Sequence, residues 1–150
     1  MSDDQGGASA AWPARGLLLT LLAAALWINA SEVFRYFVFV MPMMRDALSE
    51  IADVAPMNLP VFLVWGLWDM LLLLAVCGFV WLYLERFGWT VVHALIAGTL
   101  VWGAIFGILW LGLFNMNLAT PSILAVALPL SWLELTVAAL IVCQGRAWSS

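Results

Sequence analysis

Four apolar stretches, each long enough to cross a lipid bilayer, restrict what this chain can become more than any other feature. They run over about 16–41, 59–84, 89–114 and 121–143, and as helices rising 1.5 Å per residue each spans a hydrocarbon core of roughly 30 Å. Backbone polar groups in lipid must pair within the structure, so helices are the expected form. Of the 150 residues, 66% are hydrophobic and 9% are charged. A soluble domain is about half apolar and about a quarter charged, and one of this size could not hide so much apolar surface. The expected fold is all-α: an integral membrane four-helix transmembrane bundle over about 15–148 with the lipid bilayer as its partner, one domain by length.

Residues 1–14 (MSDDQGGASAAWPA) are small and polar and read as a disordered tail. A signal peptide is the competing reading of the first stretch, with a weak cleavage-like site after Ala30. Asp3 and Asp4 stand where a basic n-region belongs, and the apolar run continues through Phe34 to Val40. Both features favour a span. In the connector Pro42–Pro56, Met44, Leu48, Ile51 and Val54 recur at helical spacing, opposite Arg45, Asp46, Glu50 and Asp53. This pattern predicts a short amphipathic surface helix between spans 1 and 2. The other connectors, Glu85–Gly88 and Asn115–Thr120, are tight.

Arg15, Arg86 and Arg146 fall on one side of the bundle, whereas the first loop holds Arg45 beside three acids. The positive-inside rule then predicts cytoplasmic termini in a bacterial inner membrane. The net charge is −4 and the five basic residues form no stripe, which argues against nucleic acid. Cys77 and Cys143 are too few for a disulfide framework or a Cys-based metal site. His93 stands alone and is a poor metal site, although one imidazole suffices as an axial haem ligand. No metal is expected, and the sequence names no cofactor. Phosphate loops, serine nucleophile elbows, H-E-x-x-H and CxxC are all missing.

The chemistry concentrates in the few ionisable residues inside the spans, which are costly there and face the bundle interior or a wet cavity. These are Glu32 and Arg35 in the first span, Asp69 in the second and Glu134 in the fourth. Counted from the loop ends, they fall roughly 9 to 20 Å deep and can share one layer. Glu32 and Arg35, three apart, share a face and can pair, either as part of a site or as a purely structural ion pair. Asn29 and Tyr36 extend that stripe, and Ser131 lies one turn from Glu134. One arginine cannot neutralise three carboxylates, so at least one is expected to hold or exchange a proton.

Ten tryptophans are too many for interfacial belts alone. Trp65, Trp68 and Trp132 flank the acids, and Trp27 lies near Asn29. Trp102, Phe106 and Trp110 form a stripe on the third span. Trp12, Trp81, Trp89 and Trp148 read as interfacial anchors. Aromatic walls with carboxylates suit an organic cation or a flat lipophilic molecule with a polar end. Thr99, Gly103 and Gly107 form a small-residue ridge that suits helix packing or a homodimer.

Glu32-Val33-Phe34-Arg35-Tyr36 resembles the E-x-x-R-Y segment of membrane 3-hydroxyacyl-CoA dehydratases over five residues. Those enzymes have more spans, and their catalytic Tyr and Glu have no counterpart motif here, so the likeness assigns no family. The leading expectation is acid/base, isomerase-type chemistry on a lipophilic small molecule. In it, Asp69 and Glu134 exchange protons, Arg35 orients Glu32, and Trp65, Trp68 and Trp132 hold the apolar body. A small proton-coupled exporter of hydrophobic cations is the second expectation. The third is an accessory subunit whose polar layer fixes helix register.

Overall fold

The structure, a computed structural model, describes residues 14–49 and 58–149. The tail up to Pro13 and the Glu50, Ile51, Asp53 and Val54 part of the first connector lie outside the described residues. Four helices make up the fold: α1 (Ala14–Leu48), α2 (Leu59–Phe87), α3 (Val91–Asn115) and α4 (Pro121–Gly145). A short 3₁₀ turn, Arg146–Ser149, follows α4 and packs against α1, so both ends of the described chain sit at one end of the bundle. All four helices are long and apolar enough to cross a membrane. The protein is thus a four-helix multi-pass membrane bundle.

Local chemistry sets the helix starts. Asn58 accepts a hydrogen bond from the Val61 N–H (3.1 Å) ahead of α2. Thr90 accepts from His93 N–H (3.2 Å) ahead of α3, and Thr120 from Ile123 N–H (3.4 Å) ahead of α4. Each side-chain oxygen satisfies one of the N–H groups that a helix start leaves without a partner. Pro60 and Pro121 stand in first turns, where no intrahelical donor is lost. Gly88, at φ 112°, ends α2 in a conformation that a side chain would strain.

The first helix runs on past the expected boundary at Met41. Its turn over Tyr36–Val40 is a π turn, in which the Met41 N–H bonds the Tyr36 carbonyl five residues back. The widened turn lets the helix pass Pro42 without the clash a proline imposes on a regular ladder. The amphipathic segment is therefore helical to Leu48, as a continuation of α1 rather than a separate element. At 35 residues α1 is about 52 Å long, well beyond a ~30 Å hydrocarbon core. Arg45 and Asp46 are exposed on its last turns.

Packing runs opposite to that of a soluble bundle. On α1 the buried stripe is Gly16, Thr20, Ala24, Ile28, Glu32 and Arg35, while Leu18, Leu22 and Leu26 point outward. Apolar side chains gain little from helix contact when lipid is the alternative, so small residues that admit close approach take the interior. Two such approaches stand out: an added Cβ on Gly145 of α4 would run into the Thr20 side chain of α1, and one on Gly98 of α3 would stand 2.9 Å from the Thr136 Cα of α4. The Thr99, Gly103, Gly107 ridge does not make this contact within the bundle: Thr99 is exposed, and nothing would meet a Cβ on Gly103 within 4 Å.

Candidate functional site

Glu32, Arg35, Asp69 and Glu134 are 6%, 5%, 4% and 1% exposed, so four ionisable side chains from three helices are withdrawn from the surroundings. Arg35 Nη2 donates to Glu32 Oε1 one turn back on α1. The same nitrogen lies 3.6 Å from Glu134 Oε2, an ion pair too long for a hydrogen bond. Asp69 is within electrostatic range of Glu32, Arg35 and Glu134. The Arg35 guanidinium also stands over the Phe106 ring, 4.9 Å from its centroid. A cation over a ring face gains about 0.5–2 kcal/mol, more as water is removed. Arg35 therefore joins α1, α3 and α4 at one level.

Hydrogen bonding within this layer is incomplete. Both carboxylate oxygens of Glu134, Asp69 Oδ1, Arg35 Nε and Trp110 Nε1 are buried without a hydrogen-bond partner. Buried polar atoms are normally satisfied, and a cluster of exceptions in one place calls for an explanation.

Two clefts adjoin the cluster, and Arg35 lines both. The first, about 290 Å³, lies between α1 and α4, with Trp27, Ala30, Ser31, Phe34, Leu130 and Leu133 around Arg35 and Glu134. The second, about 280 Å³, lies among α1, α2 and α3 and is mostly aromatic: Tyr36, Trp65, Trp68, Phe106 and Trp110 with Glu32 and Arg35. Tyr36 and Trp65 pack ring to ring at 4.8 Å. This second cleft exists because α2 joins the bundle late. Its residues from Asn58 to Trp68 are exposed or half-buried, and Asp69 is the first buried one, followed by Leu72, Leu73, Val76, Cys77, Val80 and Leu84.

Of the expected site residues, the structure brings together Glu32, Arg35, Asp69 and Glu134, with Tyr36, Trp65 and Trp68 beside them. Asn29 points away: it is exposed and donates to the Ala25 carbonyl (2.8 Å). Trp132 also faces outward, its indole donating to Thr99 Oγ1 (3.0 Å). Ser131 is buried but held in packing, accepting from Trp102 Nε1 (3.1 Å) while donating to Leu128 O (3.1 Å). Trp27, Phe106 and Trp110 stand at the site in their place. The Trp102, Phe106, Trp110 spacing was the signal for two of them. Trp27 gave none stronger than its nearness to Asn29; its indole donates to the Glu134 backbone carbonyl (2.9 Å) and fixes α1 against α4 at the acid.

Among the described residues no group of three or more His, Cys, Asp and Glu is arranged to hold a metal. His93 Nδ1 lies 3.1 Å from the Gly88 carbonyl, at the end of the bundle away from the acids. No protein-family model, no curated protein and no solved structure matches this chain.

Proposed function

We propose that the chain holds a lipophilic small molecule at the Glu32, Arg35, Asp69, Glu134 layer and moves a proton on it, as an isomerase-type acid/base enzyme does. One observation carries this reading: the acids are buried together while several of their polar atoms have no partner. A purely structural ion cluster gains most when every lone pair and proton is used. Here the open valences of Glu134 and Asp69 are available to a substrate and to protons. One carboxylate would take a proton from a substrate carbon, and the other carboxyl group would return one at a neighbouring position, with no net change in oxidation state. Arg35, paired with Glu32 and stacked on Phe106, holds the layer in register. The aromatic cleft offers a surface for the apolar body.

A second reading, proton-coupled export of a hydrophobic cation, draws on one asymmetry. Between the charged layer and the chain termini the helices are packed by buried residues such as Val76, Val80, Ala97 and Ala139, whereas the half beyond is open along α2. That is the form of a site accessible from one side. The arginine distribution supports a bacterial inner-membrane setting with cytoplasmic termini, which would turn the open half outward.

Solvent deuterium distinguishes the two. The protein is purified with its co-extracted lipids and incubated in D₂O buffer, and the lipids are analysed by mass spectrometry. Acid/base chemistry is expected to add deuterium at carbon in one lipid species with the native chain and in none with Asp69→Asn or Glu134→Gln. Export chemistry gives no carbon-bound deuterium in any species, and that result would remove the enzymatic reading.

A further inference from the structure

The cleft among α1, α2 and α3 carries two features that together select a ligand: the shape of its walls and the kind of polar atom left open on them. Its inner wall holds Arg35, Phe106 and Trp110, which are 5%, 4% and 6% exposed. The half-buried rings of Tyr36 and Trp65 stand on it as well, and Trp68, 47% exposed, lies at its rim. Rings from three helices favour a flat conjugated guest, because stacked and edge-on ring contacts add to what burial alone provides. The volume, about 280 Å³, is room for about nine groups the size of a water molecule at about 30 Å³ each, which a molecule of one or two rings fills.

Among the residues lining this cleft, the buried polar atoms without a hydrogen-bond partner are Arg35 Nε and Trp110 Nε1. Both can only donate. Glu32, the acid on this wall, already accepts from Arg35 Nη2. Arg35 borders the neighbouring cleft too, but Trp110 lines this one alone. The indoles of Trp27, Trp102 and Trp132 each donate to an oxygen of the protein, although all three are less buried than Trp110. A buried indole N–H beside a cleft, with no oxygen of its own chain to meet it, is a group that a ligand can satisfy.

We infer that this cleft binds a planar conjugated molecule of one or two rings whose oxygen, in a carbonyl or a carboxylate, accepts from Trp110 Nε1. A ring without an acceptor leaves the indole N–H unmet, and so does an ammonium group, which brings donors only. The inference deepens the proposed function by naming the ligand class at the same layer, and it rests on that reading only for the proton transfer after binding. Where the oxygen is a ketone carbonyl, a donor on it makes the adjacent C–H a better acid, which suits that transfer.

Fluorine NMR of the full chain in phosphatidylcholine nanodiscs tests it. The probes are para-trifluoromethyl derivatives of acetophenone, benzoate, ethylbenzene and benzylamine, and a cyclohexyl methyl ketone with the same label. Binding is read as line broadening beyond that in empty nanodiscs and reversed by excess unlabelled acetophenone. The acetophenone is expected to bind about tenfold more tightly than the ethylbenzene, the benzylamine and the non-planar ketone, the effect of about one hydrogen bond or ring contact. The benzoate separates the two sources of the oxygen: binding equal to the ketone's assigns a carboxylate site, and weaker binding a neutral carbonyl. Trp110→Phe keeps a ring and removes the N–H, so it is expected to abolish the preference for acetophenone over ethylbenzene. Trp65→Leu is expected to weaken every ring probe, and Ala30→Trp, which crowds the neighbouring cleft, to leave the binding unchanged. Equal binding of acetophenone and ethylbenzene to the native chain, or a preference that survives Trp110→Phe, overturns the inference. Specific ketone binding without deuterium transfer keeps the cleft and removes the acid/base reading; deuterium transfer with no preference for the acceptor does the reverse.

Discussion

At the scale of single residues, Arg35 holds the site together. It pairs with Glu32, lies near Glu134 and covers Phe106, all within a buried layer. Removing one partner of a buried ion pair leaves an uncompensated charge and costs about 3–5 kcal/mol, whereas removing both partners together is often near neutral. Arg35→Gln is therefore expected to lower the thermal unfolding midpoint in detergent sharply, and Arg35→Gln with Glu32→Gln to recover part of the loss. A single variant as stable as the native chain would show that the charges are not mutually held. Glu32, Arg35, Asp69 and Glu134 were legible in the sequence because lipid makes a charge so expensive that its presence implies an interior position. Asn29 and Trp132 were misplaced because the direction of a side chain turns by about 100° with each residue. The buried stripe of α1 steps through Ala24, Ile28 and Glu32, so Asn29, one residue past Ile28, already faces outward.

At the scale of elements, two π turns re-aim the helices at the charged layer. On α3 the buried positions are Ala94, Ala97, Gly98 and Val101, and a regular helix would next bury residue 105. The π turn Gly103–Gly107 inserts one extra position, and Phe106 and then Trp110 are buried instead. On α1 the same slip carries the buried face from Arg35 to Val40. Such turns occur often at functional sites. Nothing in the sequence revealed these slips, because helices apolar on every side carry no amphipathic phase to follow. Deleting exposed Ala104 is expected to restore a regular helix and turn either Phe106 or Trp110 out of the site, seen as a loss of thermal stability in detergent. Inside the bundle the close contact falls on Gly98 rather than on the Thr99, Gly103, Gly107 ridge. Gly98→Ala would set a Cβ 2.9 Å from Thr136 Cα and 3.0 Å from the Leu135 carbonyl, both backbone, so α3 and α4 must separate. A loss of about 1–3 kcal/mol is expected in detergent unfolding, the usual cost of overpacking. Gly78→Ala, with nothing within 4 Å, is expected to be neutral or to gain up to ~1 kcal/mol from helix propensity.

For the whole molecule, the direction in which the half-open bundle faces decides where a ligand enters. Residues 15, 86 and 146 are arginines at the end that carries the termini, and Arg146 stands over the Trp89 ring at 5.1 Å. A cation on an aromatic ring at a helix end is what a headgroup-level anchor requires. At the other end Arg45 and Asp46 are exposed together on the last turns of α1, where the acid offsets the base. The same polarity separates the packed half from the open one, since α2 contributes buried residues only from Asp69 towards the terminal end. If the arginines hold the termini inside, the aromatic cleft opens towards the outer leaflet, and a ligand reaches Glu32 and Arg35 without passing the packed half. Cysteine labelling decides it in a Cys143→Ser background, where the remaining native thiol, Cys77, is buried. A membrane-impermeant maleimide is expected to label Ser49→Cys in intact spheroplasts and Gln144→Cys only after permeabilisation, both positions being exposed. The opposite pattern would turn the open half to the cytoplasm. The aromatic cleft would then draw its ligand from the inner leaflet, and outward export would begin from the open state rather than end in it.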